Sequence, residues 1–164
     1  MDESVVIALG GNLAGAHASC EALLEAALAR FPASGLTVTA RSGWWRSAAW
    51  PDPSAPPFTN GVALVETALS PAETLAALHT IERAFGRERH EANAARTLDL
   101  DLIAHGRQVV DEPGLRLPHP RAHERLFVMG PLAEIAPHWV HPVAGETATA
   151  LTATATVGRD AAPA

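Results

Sequence analysis

The chain has 164 residues, 48% of them hydrophobic and only 5% aromatic, and its twelve positive side chains are all arginine against eighteen acids, for a net charge of −6. The absence of lysine excludes a P-loop lysine, a protein-kinase strand lysine and a Schiff-base lysine, because each of those chemistries needs a compact ammonium. The acidic balance excludes a surface that tracks nucleic acid by bulk charge, and no apolar run approaches the roughly 18 residues of a membrane span, so a cytoplasmic protein with no nucleic-acid or membrane partner is expected.

Val5-Val6-Ile7-Ala8-Leu9 is a continuous apolar run closed by Gly10-Gly11-Asn12, the pattern of a buried strand ending in a turn. Over residues 17–31 the apolar positions Cys20, Leu23, Leu24, Ala27, Leu28 and Phe31 recur at helical spacing, and Pro32 stops the run. The lone Cys20 cannot form an internal disulfide. Residues 36–47 read as one long strand. Residues 50–57 read as a loop, since four prolines deny them both helical and ladder hydrogen bonds. A third strand follows over 60–67.

Ser70-Pro71-Ala72-Glu73 opens a second helix with a serine cap, a proline at the first helical position and a glutamate placed to complete a capping box. That helix runs to Gly86, with Glu82 at the edge of its stripe of Leu75, Leu78, Ile81 and Phe85. Residues 97–103 alternate as a strand. Short strands at 109–110 and 115–117 and a helix over 125–135 follow, and from Thr147 the Ala/Thr-rich sequence ends in a polar tail of little apolar content, whose last ten or so residues are assigned no structure.

The order strand, helix, strand, strand, helix, strand predicts an α+β fold, a ferredoxin-like βαββαβ sandwich with short C-terminal additions. Both helices would cover one face of the sheet and leave the other free for chemistry. The expected division is a single domain over 1–145 and a C-terminal segment over 146–164 that is partly disordered. The length suffices for one domain that buries roughly two-thirds of its unfolded surface.

Asp99 and Asp101 stand two apart on the predicted strand, so their carboxylates share one face while Leu98, Leu100 and Leu102 fill the core. Oxygen-only ligands select a hard ion such as Mg²⁺, and the alternative is an exposed strand with solvated acids. Arg87, Arg89 and Arg96 lie close by in sequence, as phosphoryl transfer beside a metal would require, or else they pair with Glu88 and Glu91 on the surface. His119 and His123 flank Pro120 without any cysteine nearby, which disfavours zinc and leaves phosphate contact by His119 and Arg125, or a polar helix start. Trp44, Trp45, Trp50, Phe58 and Phe127 border candidate loops and could form a stacking pocket for a flat ring, although packing in the core suits Trp44 or Trp45.

Ala94-Ala95-Arg96-Thr97-Leu98-Asp99-Leu100-Asp101-Leu102-Ile103 resembles the signature of the 6-hydroxymethyl-7,8-dihydropterin pyrophosphokinases of folate biosynthesis. Leu9-Gly10-Gly11-Asn12-Leu13, Phe58-Thr59-Asn60, Ile81-Glu82, Gly86-Arg87-Glu88-Arg89, Leu117-Pro118-His119-Pro120 and Arg125-Leu126-Phe127 extend the resemblance in order from Val5 to about Pro142. It implies an ATP-dependent diphosphokinase that moves the β,γ-pyrophosphoryl group of ATP to the pterin hydroxymethyl oxygen and releases AMP. By position, Asp99 and Asp101 would hold two Mg²⁺ ions, with Asp101 nearest the attacking hydroxyl. Arg87 and Arg96 would stabilise the transferring phosphates, and Glu82, Arg89, Leu102, His119 and Arg125 would contact ATP. The pterin would stack between Phe58 and Phe127, with Asn60, Ser47 and Trp50 completing its pocket. The resemblance implies two small-molecule partners, ATP and the pterin, and a monomer. The sequence departs from the family pattern at Gly11, Ser47-Ala48, Asn93 and Pro120, and in a loop between Arg89 and Arg96 that is about one residue shorter than in some relatives. The metal pair and the arginines are intact.

Overall fold

In the computed structural model, which describes residues 4–12, 17–48, 57–85 and 98–164, the first strand is β1 (Val5–Gly11), with Val5, Ile7 and Leu9 on one face and Val6 and Ala8 on the other. Helix α1 (Cys20–Leu28) starts where the Ser19 hydroxyl accepts the Ala22 N–H, and it buries Leu23, Leu24, Ala27 and Leu28. Strand β4 (Phe58–Glu66) lies antiparallel to β1, and β5 (Asp99–His105) pairs with the other edge of β1. Between β4 and β5, α2 (Pro71–Ala84) begins with the capping box the sequence predicts, the Ser70 hydroxyl on the Glu73 N–H and the Glu73 carboxylate on the Ser70 N–H.

The long strand expected over 36–47 is two, β2 (Thr37–Arg41) and β3 (Trp45–Ser47), both antiparallel to β4. Arg41 faces Ala63 and Trp45 faces Asn60, so three residues on one side oppose two on the other, a bulge. Ser42 bridges the break by donating its N–H to Val62 O and accepting the Val62 N–H on its hydroxyl. Trp44 and Trp45, being adjacent, point to opposite faces. Trp44 lies over Gly61, where a Cβ would come within 2.5 Å of the indole, and Trp45 lies against Gly130 equally closely. Both tryptophans therefore pack rather than line an open pocket.

The sheet order β5-β1-β4 with β2 and β3 beyond β4, and α1 and α2 together on one face, is the ferredoxin-like arrangement. The opposite face is not left free as expected. Its upper half is covered by α3 (Leu126–Ile135) and α4 (Ala148–Thr154), whose Val128, Met129, Leu132, Ala148 and Leu151 pack on Val6, Val62, Ile103 and Ala104. A hairpin of β6 (Val110–Glu112) and β7 (Leu115–Leu117) sits beside β5. After Thr147 the chain forms α4 and then, within the last ten residues to which the sequence assigned no structure, β8 (Ala162–Pro163), which pairs with β3. Among the described residues, no helix is long and apolar enough to cross a membrane.

Candidate active site

Alternation on β5 places Leu98, Leu100 and Leu102 in the core beneath α2, and turns the half-buried Asp99 and Asp101 to the opposite face. Glu82, which the resemblance puts among the ATP contacts, is only 2% exposed, and its Oε2 accepts the Leu100 N–H at 2.8 Å. That bond ties α2 to the outer edge of the strand carrying the aspartates. It also satisfies a donor that β1 cannot reach.

Register extends the site across the sheet. Asp99 faces Gly10, Gly10 faces Asn60 and Asn60 faces Trp45, so one row crosses β5, β1, β4 and β3 on the same face. In the next row Asp101 faces Ala8 and Ala8 faces Val62. The floor between the aspartates and Asn60 is thus glycine and alanine. A Cβ at Gly10 would stand 3.0 Å from Asn60 Oδ1, so glycine keeps this floor low enough for the amide to lie over it. Asn60 donates its Nδ2 to the Ser47 hydroxyl at 3.1 Å, and Ser47 faces Phe58 across β3 and β4. Ser47, Phe58 and Asn60 therefore form one cluster at the β3–β4 pairing.

Beyond Asp101, a cavity of about 400 Å³ is lined by Leu75 and His79 of α2, Leu100, Asp101 and Leu102 of β5, Leu115 and Arg116 of β7, Gly114 before it, and His119 with Pro120. Sequence reasoning passed over His79 and Arg116. The available signal for His79 was its spacing, four residues from Leu75 and three from Glu82, which puts it on the same side of α2.

His119 follows a cis Leu117–Pro118 bond and donates its backbone N–H to Ile103 O at 2.8 Å, which anchors it beside β5. Burial, and then the positive charge of Arg125, push its imidazole down to about 4, with Asp99 pulling the other way. The ring is consequently neutral near pH 7. Its Nδ1 accepts the Arg121 N–H at 3.2 Å, which leaves Nε2–H as the donor. Arg125 precedes α3, and its guanidinium carbon sits 5.7 Å from the centroid of the Phe127 ring. Trp50, Arg87, Arg89 and Arg96 lie outside the described residues.

A pH prediction follows from His119. Its folded value lies below the ordinary 6.5, and burial lowers His141 in the same direction. The unfolded chain therefore binds more protons than the folded one below about pH 6.5, and stability is lost as pH falls from there toward about 4. The urea midpoint should decline over this window in wild type and decline less in His119→Gln. Parallel curves for the two proteins would contradict the assignment.

The family model for 7,8-dihydro-6-hydroxymethylpterin-pyrophosphokinase (HPPK) matches residues 6–137. The chain belongs to this pyrophosphokinase family. A 2-amino-4-hydroxy-6-hydroxymethyldihydropteridine pyrophosphokinase of Synechocystis sp. is 43% identical over 143 residues, covering 87% of this chain and 71% of the relative. A protein of the same name from Pseudomonas aeruginosa is 39% identical over 137 residues, covering 84% and 83%. Among solved structures, a Plasmodium falciparum HPPK-DHPS triple mutant superposes with a TM-score of 0.70 at 13% identity, over 93% of this chain and 44% of that one. The chain thus spans less than half of that protein, and the likeness shows the fold. The pyrophosphokinase family match stops at residue 137, so α4 and β8 lie beyond it.

Proposed function

We propose that this chain transfers the β,γ-pyrophosphoryl group of ATP to the hydroxymethyl oxygen of 6-hydroxymethyl-7,8-dihydropterin, giving AMP and the pterin diphosphate. It would act as a single catalytic domain, monomeric and cytoplasmic. The observation that carries this reading is the shared row: Asp99 and the Asn60–Ser47 pair face each other across Gly10, while Asp101 opens into the cavity beside His119. Strands lie ~4.8 Å apart, so the aspartates and Asn60 are separated by roughly 10 Å. One small acceptor fits between them with its reactive end at the carboxylates. ATP in the cavity would then present its phosphates to the same point.

Asp99 and Asp101 fit Mg²⁺: two carboxylates on one face form an oxygen-only donor set, and Mg²⁺ takes one or two carboxylates with its other positions left to water and phosphate. When bound, the metal supplies charge neutralisation on the phosphate oxygens. The chain's own residues do the rest. Asn60, its amide orientation set by Ser47, reads the polar edge of the pterin, and Phe58 and Phe127 hold its faces. Neutral His119 offers Nε2–H to a phosphate oxygen, and Arg125 adds fixed positive charge. Leu102 and Leu75 give the cavity its apolar wall, suited to a purine ring, and Glu82 holds β5 in place. Arg87, Arg89 and Arg96 complete the reading as donors to the transferring group, and Trp50 as a wall of the pterin pocket, all on the strength of the family motif.

The decisive assay incubates protein, Mg²⁺ and ATP with and without the pterin and resolves the nucleotides. AMP formed only with pterin present is expected. ADP, or turnover that ignores the pterin, would replace the transferase with a hydrolase using the same aspartates. Phe127→Ala should weaken pterin binding about tenfold or more and ATP binding far less, since an aromatic side chain stacked on a heterocyclic base contributes on the order of 1–3 kcal/mol. Equal losses for the two ligands would remove Phe127 from the pocket.

A further inference from the structure

Thr156 and Val157 both donate their N–H groups to Glu124 O, and the Leu126 N–H returns to Val157 O, so the chain after α4 is stitched to the start of α3. One residue later Gly158 has φ of +68°, and a Cβ there would meet Phe127 Cδ1 at 2.5 Å. The ring therefore rests on bare backbone. The chain then runs on to β3. Asp160 Oδ2 accepts the Ala48 N–H at 2.6 Å, directly after Ser47, and β8 pairs Ala162 with Arg46 and Pro163 with Trp45. Ala48 and Asp160 are 112 residues apart in sequence.

We propose that the C-terminal segment from Val157 to Ala164 is a clamp that positions the two walls of the pterin pocket, seating Phe127 on Gly158 and fixing the Ser47–Ala48 backbone through Asp160. The inference rests on the assignment of Phe127 and Ser47 to the pterin. It adds positioning residues that lie beyond the family match at residue 137. A short bond from a carboxylate to a backbone N–H is charge-assisted and directional, so it restricts where the chain can leave β3. Glycine at position 158 is required twice, by its left-handed backbone and by contact with the ring.

The test is steady-state kinetics on the full chain with both substrates varied, for Asp160→Ala, Asp160→Asn, Gly158→Ala and Phe127→Ala. Asp160 is exposed, so its replacement should leave the melting temperature near that of wild type. Asp160→Ala should raise KM for the pterin about three- to tenfold and leave KM for ATP unchanged, the range expected for loss of one hydrogen bond. Asp160→Asn, which keeps an acceptor, should restore most of the loss. Gly158→Ala should raise the same constant by displacing the ring. In an Ala48→Pro background, which has no N–H at position 48, Asp160→Ala should have no further effect. An unchanged pterin KM in Asp160→Ala, an equal rise for ATP, or an undiminished effect in the proline background would overturn the clamp. If Phe127→Ala leaves pterin affinity intact, the pocket assignment itself fails. If Phe127→Ala weakens it and Asp160→Ala does not, only the clamp fails.

Discussion

Asp101→Ala is expected to reduce turnover by about a thousandfold or more while the protein stays folded, and Asp99→Ala to act in the same direction. The magnitude follows from the proposed site: the charge stabilisation that a Mg²⁺ held by the two carboxylates would supply, several kcal/mol at ~1.4 kcal/mol per tenfold in rate, would be lost with its carboxylate. Preservation of the fold follows from β5. Leu100 and Leu102 carry its packing, and the aspartates are half-buried on the face opposite that core. Rates are to be read beside circular dichroism and thermal melts. A wild-type rate in a folded Asp101→Ala protein would contradict the site; a low rate with a collapsed melt would make Asp101 structural.

Glu82→Ala should cost about 2–4 kcal/mol of stability, because it leaves the Leu100 N–H without its acceptor and opens a cavity at a position that is 2% exposed. For a domain of this size the melting temperature should fall by about 5–15 °C. Glu82→Gln keeps a carbonyl oxygen in reach and should lose less than half as much. Activity should fall with Glu82→Ala even well below its melting temperature, since the bond fixes the strand between the two aspartates. Equal stability of the alanine and glutamine variants would show that the Leu100 bond carries no weight.

The parts of this structure that were legible in the sequence are the local ones. The alternation of β5 separated Asp99 and Asp101 from Leu98, Leu100 and Leu102, and the capping box at Ser70 and Glu73 fixed the start of α2. Both depend on residues within a few positions of each other. The covering of the second face was not legible. α3 is buried through Met129, Gly130 and Pro131, whose pattern does not reveal which sheet face it meets. The C-terminal segment was hidden for a related reason: it packs through small residues, Ala148, Ala155 and Ala161, which give little hydrophobic periodicity. Its ties to β3 and to Ala48 are long-range pairings that no local window contains. The bulge at 42–44 depends likewise on the register of β4, and so does the seating of Trp44 on Gly61. In the site, the Asn60–Ser47 bond and Gly10 as the floor between Asn60 and Asp99 emerge only from strand pairing.

The most direct measurement of the central claim follows the fate of ATP radiolabelled at its β-phosphorus. Transfer of an intact pyrophosphoryl group at the Asp99–Asp101 face predicts the label in the pterin diphosphate, with AMP unlabelled and formed in equal amount. Label recovered in ADP, or in free pyrophosphate with the pterin unchanged, would contradict it.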